Sequence, residues 1–124
     1  MARPIQPGLT ENEFMVMKEL WAHSPLTVAQ ILEKLDRQPK PAYTSLLTLV
    51  QAMEKKGYIG HHKEGKAYTY FPILKQSAFT SGEIQRMSER LFGGRSLSLL
   101  MNLIENEQLS REDVEQLKKM LEEL

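Results

Sequence analysis

The stretch Pro39–Gly57, PKPAYTSLLTLVQAMEKKG, decides how this chain is read. Pro39 and Pro41 bar helix before it, and Pro41 suits a first helical position, where its missing N–H needs no partner. Gly57 ends the segment, with Lys55 and Lys56 in the last turn, where the helix dipole favours cations. Between these limits Leu46, Leu49, Val50 and Met53 recur with the spacing of one buried stripe. Stepping about 100° per residue, the opposite face carries Thr44, Thr48, Gln51 and Lys55. A short polar face ending in a positive charge, on a helix held from behind, is suited to reading a DNA groove. The remaining residues test that expectation.

Upstream, Thr10-Glu11-Asn12-Glu13 has the spacing of a capping box and opens a first helix. Phe14, Met17, Leu20 and Trp21 fall on its inner face, and Ser24-Pro25 stops it near His23. Trp21 is read as a core residue and His23 as a helix terminus suited to the dipole. Thr27 caps a second helix with Val28, Ile31, Leu32 and Leu35 inward, ending around Asp36. In a unit of three such helices the third presents one face outward while the first two support it.

After Gly57 the period changes from helical to alternating. Tyr58–His62 and Ala67–Phe71 read as strands, joined by the turn Lys63-Glu64-Gly65-Lys66, and Pro72 closes the second. A hairpin directly after such a helix is the wing of a winged helix, with Lys63 and Lys66 at its tip as phosphate contacts. The ordinary alternative is two solvated charges at a turn. His61-His62 is a poor metal site, because neighbouring strand residues point to opposite faces and no cysteine or nearby carboxylate completes a ligand set. One of the two histidines, taken as His62, is expected on the wing surface beside the DNA backbone.

From Gln76 onward the pattern is helical. Phe79, Met87 and Leu91 mark a face of a helix ending at Phe92, and Gly93-Gly94 breaks it. Ser96 caps a segment holding Leu97, Leu99, Leu100, Met101, Leu103 and Ile104, apolar on nearly every side and therefore expected to be buried all round. Ser110-Arg111-Glu112-Asp113 caps a last helix whose Val114, Leu117, Leu121 and Leu124 form a seam. Three short helices carry more apolar surface than they can cover, so burial against a second copy is expected, giving a symmetric homodimer with paired DNA half-sites. Folding back on the winged helix is the alternative.

The fold class is thus mainly α: a winged helix-turn-helix with a two-stranded wing over residues 1–75, and a helical dimerisation region over 76–124. Hydrophobic residues at 41% and charged residues at 26% describe an ordinary globular protein. The formal net charge is zero, but residues 1–75 hold ten Lys/Arg against seven Asp/Glu and residues 76–124 six against nine. The first part has the sign a phosphate-facing surface needs. The chain has no cysteine, no run long enough for a membrane span, and no long apolar stretch in MARPIQPGL, so a cytoplasmic protein without disulfides or a signal peptide is expected. With three histidines and no recognisable nucleophile-base grouping, an enzyme is not expected, nor is a cofactor.

Several blocks together resemble the penicillinase and methicillin-resistance repressors: LTENEFMVMKELW, TSLLTLVQAMEKKGYI, HHKEGKAYTYFPI, and RLFGG followed by SLSLLMNLIENEQLSREDVEQLKKMLEEL. The first three fit many winged helices; the last two are more specific. The resemblance, from about Leu9 to Leu124, implies a dimeric repressor that occupies palindromic operators through winged-helix domains and dimerises through its C-terminal helices. It also implies release by cleavage in the dimerisation region, downstream of a membrane sensor with a metalloprotease domain. Family cleavage falls at an Asn-Phe bond, where this chain has Asn102-Leu103. The cysteine pairs of a copper-responsive branch are absent.

The expected DNA contacts are Lys40, Tyr43, Thr44, Ser45, Leu47, Thr48, Gln51, Lys55, His62, Lys63 and Lys66. Many family members have a basic residue where this chain has Leu47, and the outward helix face has no arginine. Readout then falls to threonine methyls on thymine methyls and to Gln51 on adenine edges, which implies an A/T-tolerant operator. Leu47 reads equally as a thymine-methyl contact and as a half-exposed leucine of no consequence. The expected dimerisation residues are Leu91, Leu99, Leu100, Leu103, Ile104, Val114, Leu117 and Leu121. A winged helix that docks a protein partner instead of DNA is the competing reading.

Overall fold

Thr10 and Thr27 set the frame of the first unit. In the computed structural model, which describes residues 8–124, each is an N-cap whose hydroxyl accepts from the third helical N–H, completing a capping box with Glu13 or Gln30. They open α1 (Glu11–His23) and α2 (Val28–Lys34). Helix α3 spans Tyr43–Lys55, strands β1 and β2 span Ile59–Glu64 and Ala67–Pro72, and α4 (Gln76–Phe92), α5 (Ser96–Glu105) and α6 (Arg111–Glu122) follow. The chain forms two compact units, Met1–Thr80 and Ser81–Leu124. Residues 1–7, including most of the stretch read as lacking a signal peptide, lie outside the described residues.

The core of the first unit is drawn from all its elements. Val16, Met17, Leu20, Ile31, Leu46, Val50, Met53 and Ile59 are essentially inaccessible to solvent. Phe14 departs from its expected inward place: it sits at the margin, stacked on Phe79 at 5.6 Å between ring centroids. Val16 is buried instead. Trp21 is half-buried; its indole N–H donates to the Leu74 carbonyl at 2.9 Å, and its ring lies 5.7 Å from Phe79. Phe79, read from the sequence as part of the C-terminal face, thus seals the aromatic edge of α1.

Helix α3 begins at Tyr43, two residues after the expected start, with Ala42 as its extended N-cap. Pro39 and Pro41 line a cleft with Met15, Leu46 and Leu49, after a bend at Gln38-Pro39. The C-terminus closes as a Schellman motif: Gly57 (φ 87°) donates to the Glu54 carbonyl and Tyr58 to that of Met53. Helix α2 is shorter than expected, since Leu35 turns extended and is buried.

The strands pair antiparallel, with Glu64 opposite Ala67 and Ile59 opposite Pro72. The pairing runs two residues further than the alternation shows and leaves a two-residue turn, Gly65-Lys66. Gly65 (φ 63°) supplies the positive φ that a type II′ turn needs at its first position. Leu26 adds a short third edge, exchanging both backbone bonds with Tyr70 at 3.1 and 2.7 Å.

Glu13 is a buried carboxylate with two tasks. One oxygen accepts from the Thr10 N–H; the other meets Lys56 Nζ at 2.6 Å. Burial pushes its carboxyl up, but Lys56 and Thr10 outweigh burial and hold it below the ordinary value of 4.5. Because the folded-state value is depressed, the stabilisation is complete above pH 4.5 and is lost as pH falls through the lowered value. Glu13→Gln keeps the cap and removes the charge. We expect it to cost about 1 kcal/mol at neutral pH, with the gap to the wild type closing in acid, as read by urea melts across pH.

Candidate nucleic-acid interface

One side of α3 faces solvent between the wing and the start of α2. Thr44, Thr48, Gln51 and Lys55 are exposed along it, as expected. The Thr48 hydroxyl donates to the Thr44 carbonyl at 3.0 Å, so its proton is committed and its methyl and an acceptor lone pair remain. A cleft of about 520 Å³ separates this helix from the wing. Leu47, Val28 and Tyr70 line it with Tyr43, Gln51 and Lys66. Leu47 is half-buried there, and Tyr43 is 47% exposed. Tyr70, one of the buried residues, has its phenol pushed up by burial and then by Glu54 and neighbouring tyrosines, which keeps it neutral.

The structure brings most of the expected residues onto this side and sets two apart. Lys40 and Ser45 line a second cleft, against Asn12 and Met15 of α1. Lys40 Nζ also donates to the Glu33 carbonyl at 3.0 Å, closing the end of α2. At the wing, Lys63 and Lys66 are exposed near the turn. His62 is exposed and stacks on Phe71 at 4.7 Å. His61 turns the other way, toward α3, where its Nδ1 lies 2.6 Å from Glu54 Oε2. The described residues hold no group of three or more His, Cys, Asp or Glu fit for a metal ion. Gly60 is needed at the wing's base: a Cβ there would come within 2.9 Å of the Phe71 ring.

Glu54 and Tyr68 were not singled out from the sequence, and His61 was weighed there only as a metal ligand or a residue of the wing surface. Glu54 has the look of a solvated carboxylate in a last helical turn, and a contact between a helix and the following strand leaves no periodic trace.

The unit Ser81–Leu124 has a different character. Ser88 is its one buried residue, and among the described residues the Ser88 hydroxyl has no hydrogen-bond partner. Leu99, Leu100, Leu103, Val114 and Leu117 are half-buried, whereas Leu91, Ile104 and Leu121 are exposed. The expectation that the α5 segment is buried all round fails within one chain, since Leu97 and Met101 are exposed as well. Three short helices are too thin to enclose a core. Arg95, not Ser96, is the N-cap of α5, and it makes no side-chain cap, whereas Ser110 caps α6 with a complete capping box. Asn102 and Leu103 lie in mid-helix, where the Asn106 amide donates to the Asn102 carbonyl and side-chain oxygen, both at 2.9 Å. Among the described residues, no helix is long and apolar enough to cross a membrane.

Comparison with known proteins agrees with this arrangement. A family model described as Penicillinase repressor matches residues 9–123. The penicillinase repressor of Bacillus licheniformis is 33% identical over 121 residues, covering 94% of this chain and 91% of that protein. The methicillin resistance regulatory protein MecI of Staphylococcus aureus (strain N315) is 25% identical over 113 residues, 91% of this chain and 92% of the relative. Among solved structures, the solution structure of the DNA binding domain of the repressor BlaI superposes with a TM-score of 0.50 at 30% identity, covering 57% of this chain and 87% of that domain.

Proposed function

The chain belongs to the penicillinase repressor family, and on that premise we propose that it represses transcription by occupying a palindromic operator as a homodimer. The family is one of transcriptional repressors and not of enzymes. The observation that carries the reading is the polar, solvent-facing side of α3, flanked by the lysines of the wing. Thr44, Thr48 and Gln51 enter the major groove, with Leu47 and Tyr43 beside them. Lys55, Lys63 and Lys66 hold phosphates, and Lys40 and Ser45 reach the backbone from the neighbouring cleft. Phosphate contacts set the register, and base edges supply the sequence. Two helices held by one dimer enter successive grooves roughly 34 Å apart.

The C-terminal unit supplies the second copy's contact. Its exposed apolar residues, Leu91, Ile104 and Leu121, with half-buried Leu99, Leu100, Leu103, Val114 and Leu117, form the surface that pairs. Release follows the route that the family resemblance implies: a sensor-linked metalloprotease cuts Asn102-Leu103, which requires α5 to unwind locally because a protease binds extended chain. The protein works in the cytoplasm.

A gel shift with duplexes from the promoter of its own gene tests the reading. Binding is expected below about 100 mM salt. Thr48→Ala should blur the preference for the specific site over random duplex, by about tenfold. Lys66→Ala should weaken every duplex about equally. Absence of binding to any duplex would favour the protein-docking alternative.

A further inference from the structure

The wing of this fold stands on little. A two-stranded hairpin is marginal by itself, and here its base is held by the Leu26–Tyr70 backbone pair, the buried Ile59 and Tyr70, and the Phe71 ring against Gly60. Past the buried Thr69 on one strand and His61 on the other, the hairpin projects into solvent, with Lys63 and Lys66 beyond. What fixes those lysines relative to α3 must therefore lie at the level of His61.

Four side chains meet there. Glu54, in the last turn of α3, faces His61 Nδ1 at 2.6 Å across the gap between helix and β1. A carboxylate only accepts, so the shared proton sits on His61 Nδ1 and the histidine donates. The His61 ring stacks on Tyr68 of β2 at 4.2 Å with 12° between planes, and tilts against Tyr70 at 5.7 Å. Tyr70 is buried and tied to Leu26. A continuous path thus runs from α3 through Glu54 and His61 to both strands of the hairpin. Glu54 and His61 are each about one-third exposed, so solvent does not dissolve the link as it does a fully exposed pair.

The placement of Glu54 adds a second, independent reason. It lies beside Thr48, Gln51 and Lys55 on the side of α3 read as facing DNA. A free carboxylate there would repel the phosphate backbone, at a cost set by its approach to the strands. Engaged by the His61 N–H, one of its oxygens is occupied and the carboxylate serves as an anchor. His62, the next residue, faces the other way on the hairpin and stacks on Phe71, so the two adjacent histidines have separate tasks.

We infer that His61 is a positioning residue for DNA binding: by bridging Glu54 of the recognition helix to Tyr68 of the wing, it sets where Lys63 and Lys66 stand relative to that helix. It touches no DNA itself. This inference rests on the DNA-binding reading above, and its consequence is coupling. The contribution of Lys66 exists only while the bridge holds.

The test combines a measurement without DNA and one with it. The chain has no native cysteine, so Thr44→Cys with Lys66→Cys gives two unique spin-label sites in the full-length protein. In the free protein a narrow distance distribution is expected, broadening in His61→Ala and narrowing part of the way in His61→Asn, whose amide nitrogen can donate from the position of Nδ1 but which has no ring to stack on Tyr68. An unchanged distribution in His61→Ala overturns the inference whatever the protein binds. Fluorescence melts of Trp21, the only tryptophan, establish that each variant is folded. With a mixed-sequence duplex of about 40 base pairs at about 100 mM salt, Lys66→Ala should weaken wild-type binding roughly tenfold for each wing on the duplex, near the mass-action value of one released counterion per wing. In His61→Ala the same change should cost less than about twofold per wing, and in His61→Asn part of the tenfold per wing should return. If Lys66→Ala costs as much in His61→Ala as in the wild type, the bridge has no role in binding, and the inference fails while the DNA-binding reading stands. If the wild type binds no duplex, the DNA-binding reading fails, and the inference about binding falls with it.

Discussion

Ile104→Glu combined with Leu121→Glu is expected to convert the protein from dimer to monomer at micromolar concentration and to weaken its hold on a two-half-site duplex by at least about 100-fold. Both residues are exposed in the single chain, Ile104 at 44% and Leu121 at 58%, so the change leaves the fold of one protomer with little to lose. In a symmetric dimer each substitution counts twice. At about 1.5–3 kcal/mol for each large aliphatic side chain removed from water, four positions carry an amount comparable to the whole free energy of a moderate dimer. Glutamates facing glutamates across the axis add repulsion to an already acidic unit. Sedimentation velocity reads the oligomer, and anisotropy with full and half-site duplexes reads the consequence. The half-site should be held as before, because the helix and wing that touch it are unaltered. A double variant that still sediments as a dimer would place the interface elsewhere.

What the sequence revealed and what it hid divide along physical lines. Local rules were legible: the capping boxes at Thr10 and Ser110, the N-cap at Thr27, the stripe Leu46–Val50–Met53 and the glycine punctuation at Gly57 and Gly65 all act within a few residues of the chain. Polar long-range pairs were not. Glu13 looked like an ordinary capping-box member, and only the fold brings Lys56 to it across the start of α1 and the end of α3. Glu54–His61 was hidden for the same reason. The bridge at Leu26 occupies a single residue between Pro25 and the cap of α2, too short to carry any alternation. The α5 segment shows a gap of another kind. Its composition implied burial, but three short helices cannot supply it within one chain, and the exposed Leu97 and Met101 are where that shortfall is visible. The departure at Leu47 is sharpened by its place in the cleft: half-buried beside Val28 and Tyr70, it is committed partly to holding the wing's side of the groove and offers DNA only an edge.

The second large effect expected is on salt. A chain with zero formal net charge is expected to bind DNA with a strongly negative slope of log affinity against log salt. Net charge is the wrong predictor here, because counterions are released from DNA only where cations meet phosphates. The acidic excess sits in residues 76–124, and the first 75 residues carry the positive balance. Four lysines per protomer, Lys40, Lys55, Lys63 and Lys66, are the proposed contacts, so a bound dimer neutralises about eight phosphates and the slope should be near −7. Raising salt from about 50 to 200 mM then weakens binding by roughly 10⁴-fold. Lys40 makes the smallest contribution, since its ammonium already serves the Glu33 carbonyl. Lys66→Ala should flatten the slope by about two units in the dimer, one for each wing. Thr48→Ala should leave the slope unaltered while reducing discrimination, because an uncharged contact releases no counterion. A titration series from low to moderate salt, repeated on the specific site and on random duplex, separates the two kinds of residue. Equal slopes for Lys66→Ala and the wild type would mean that the wing stands clear of the phosphates and that α3 alone grips the groove.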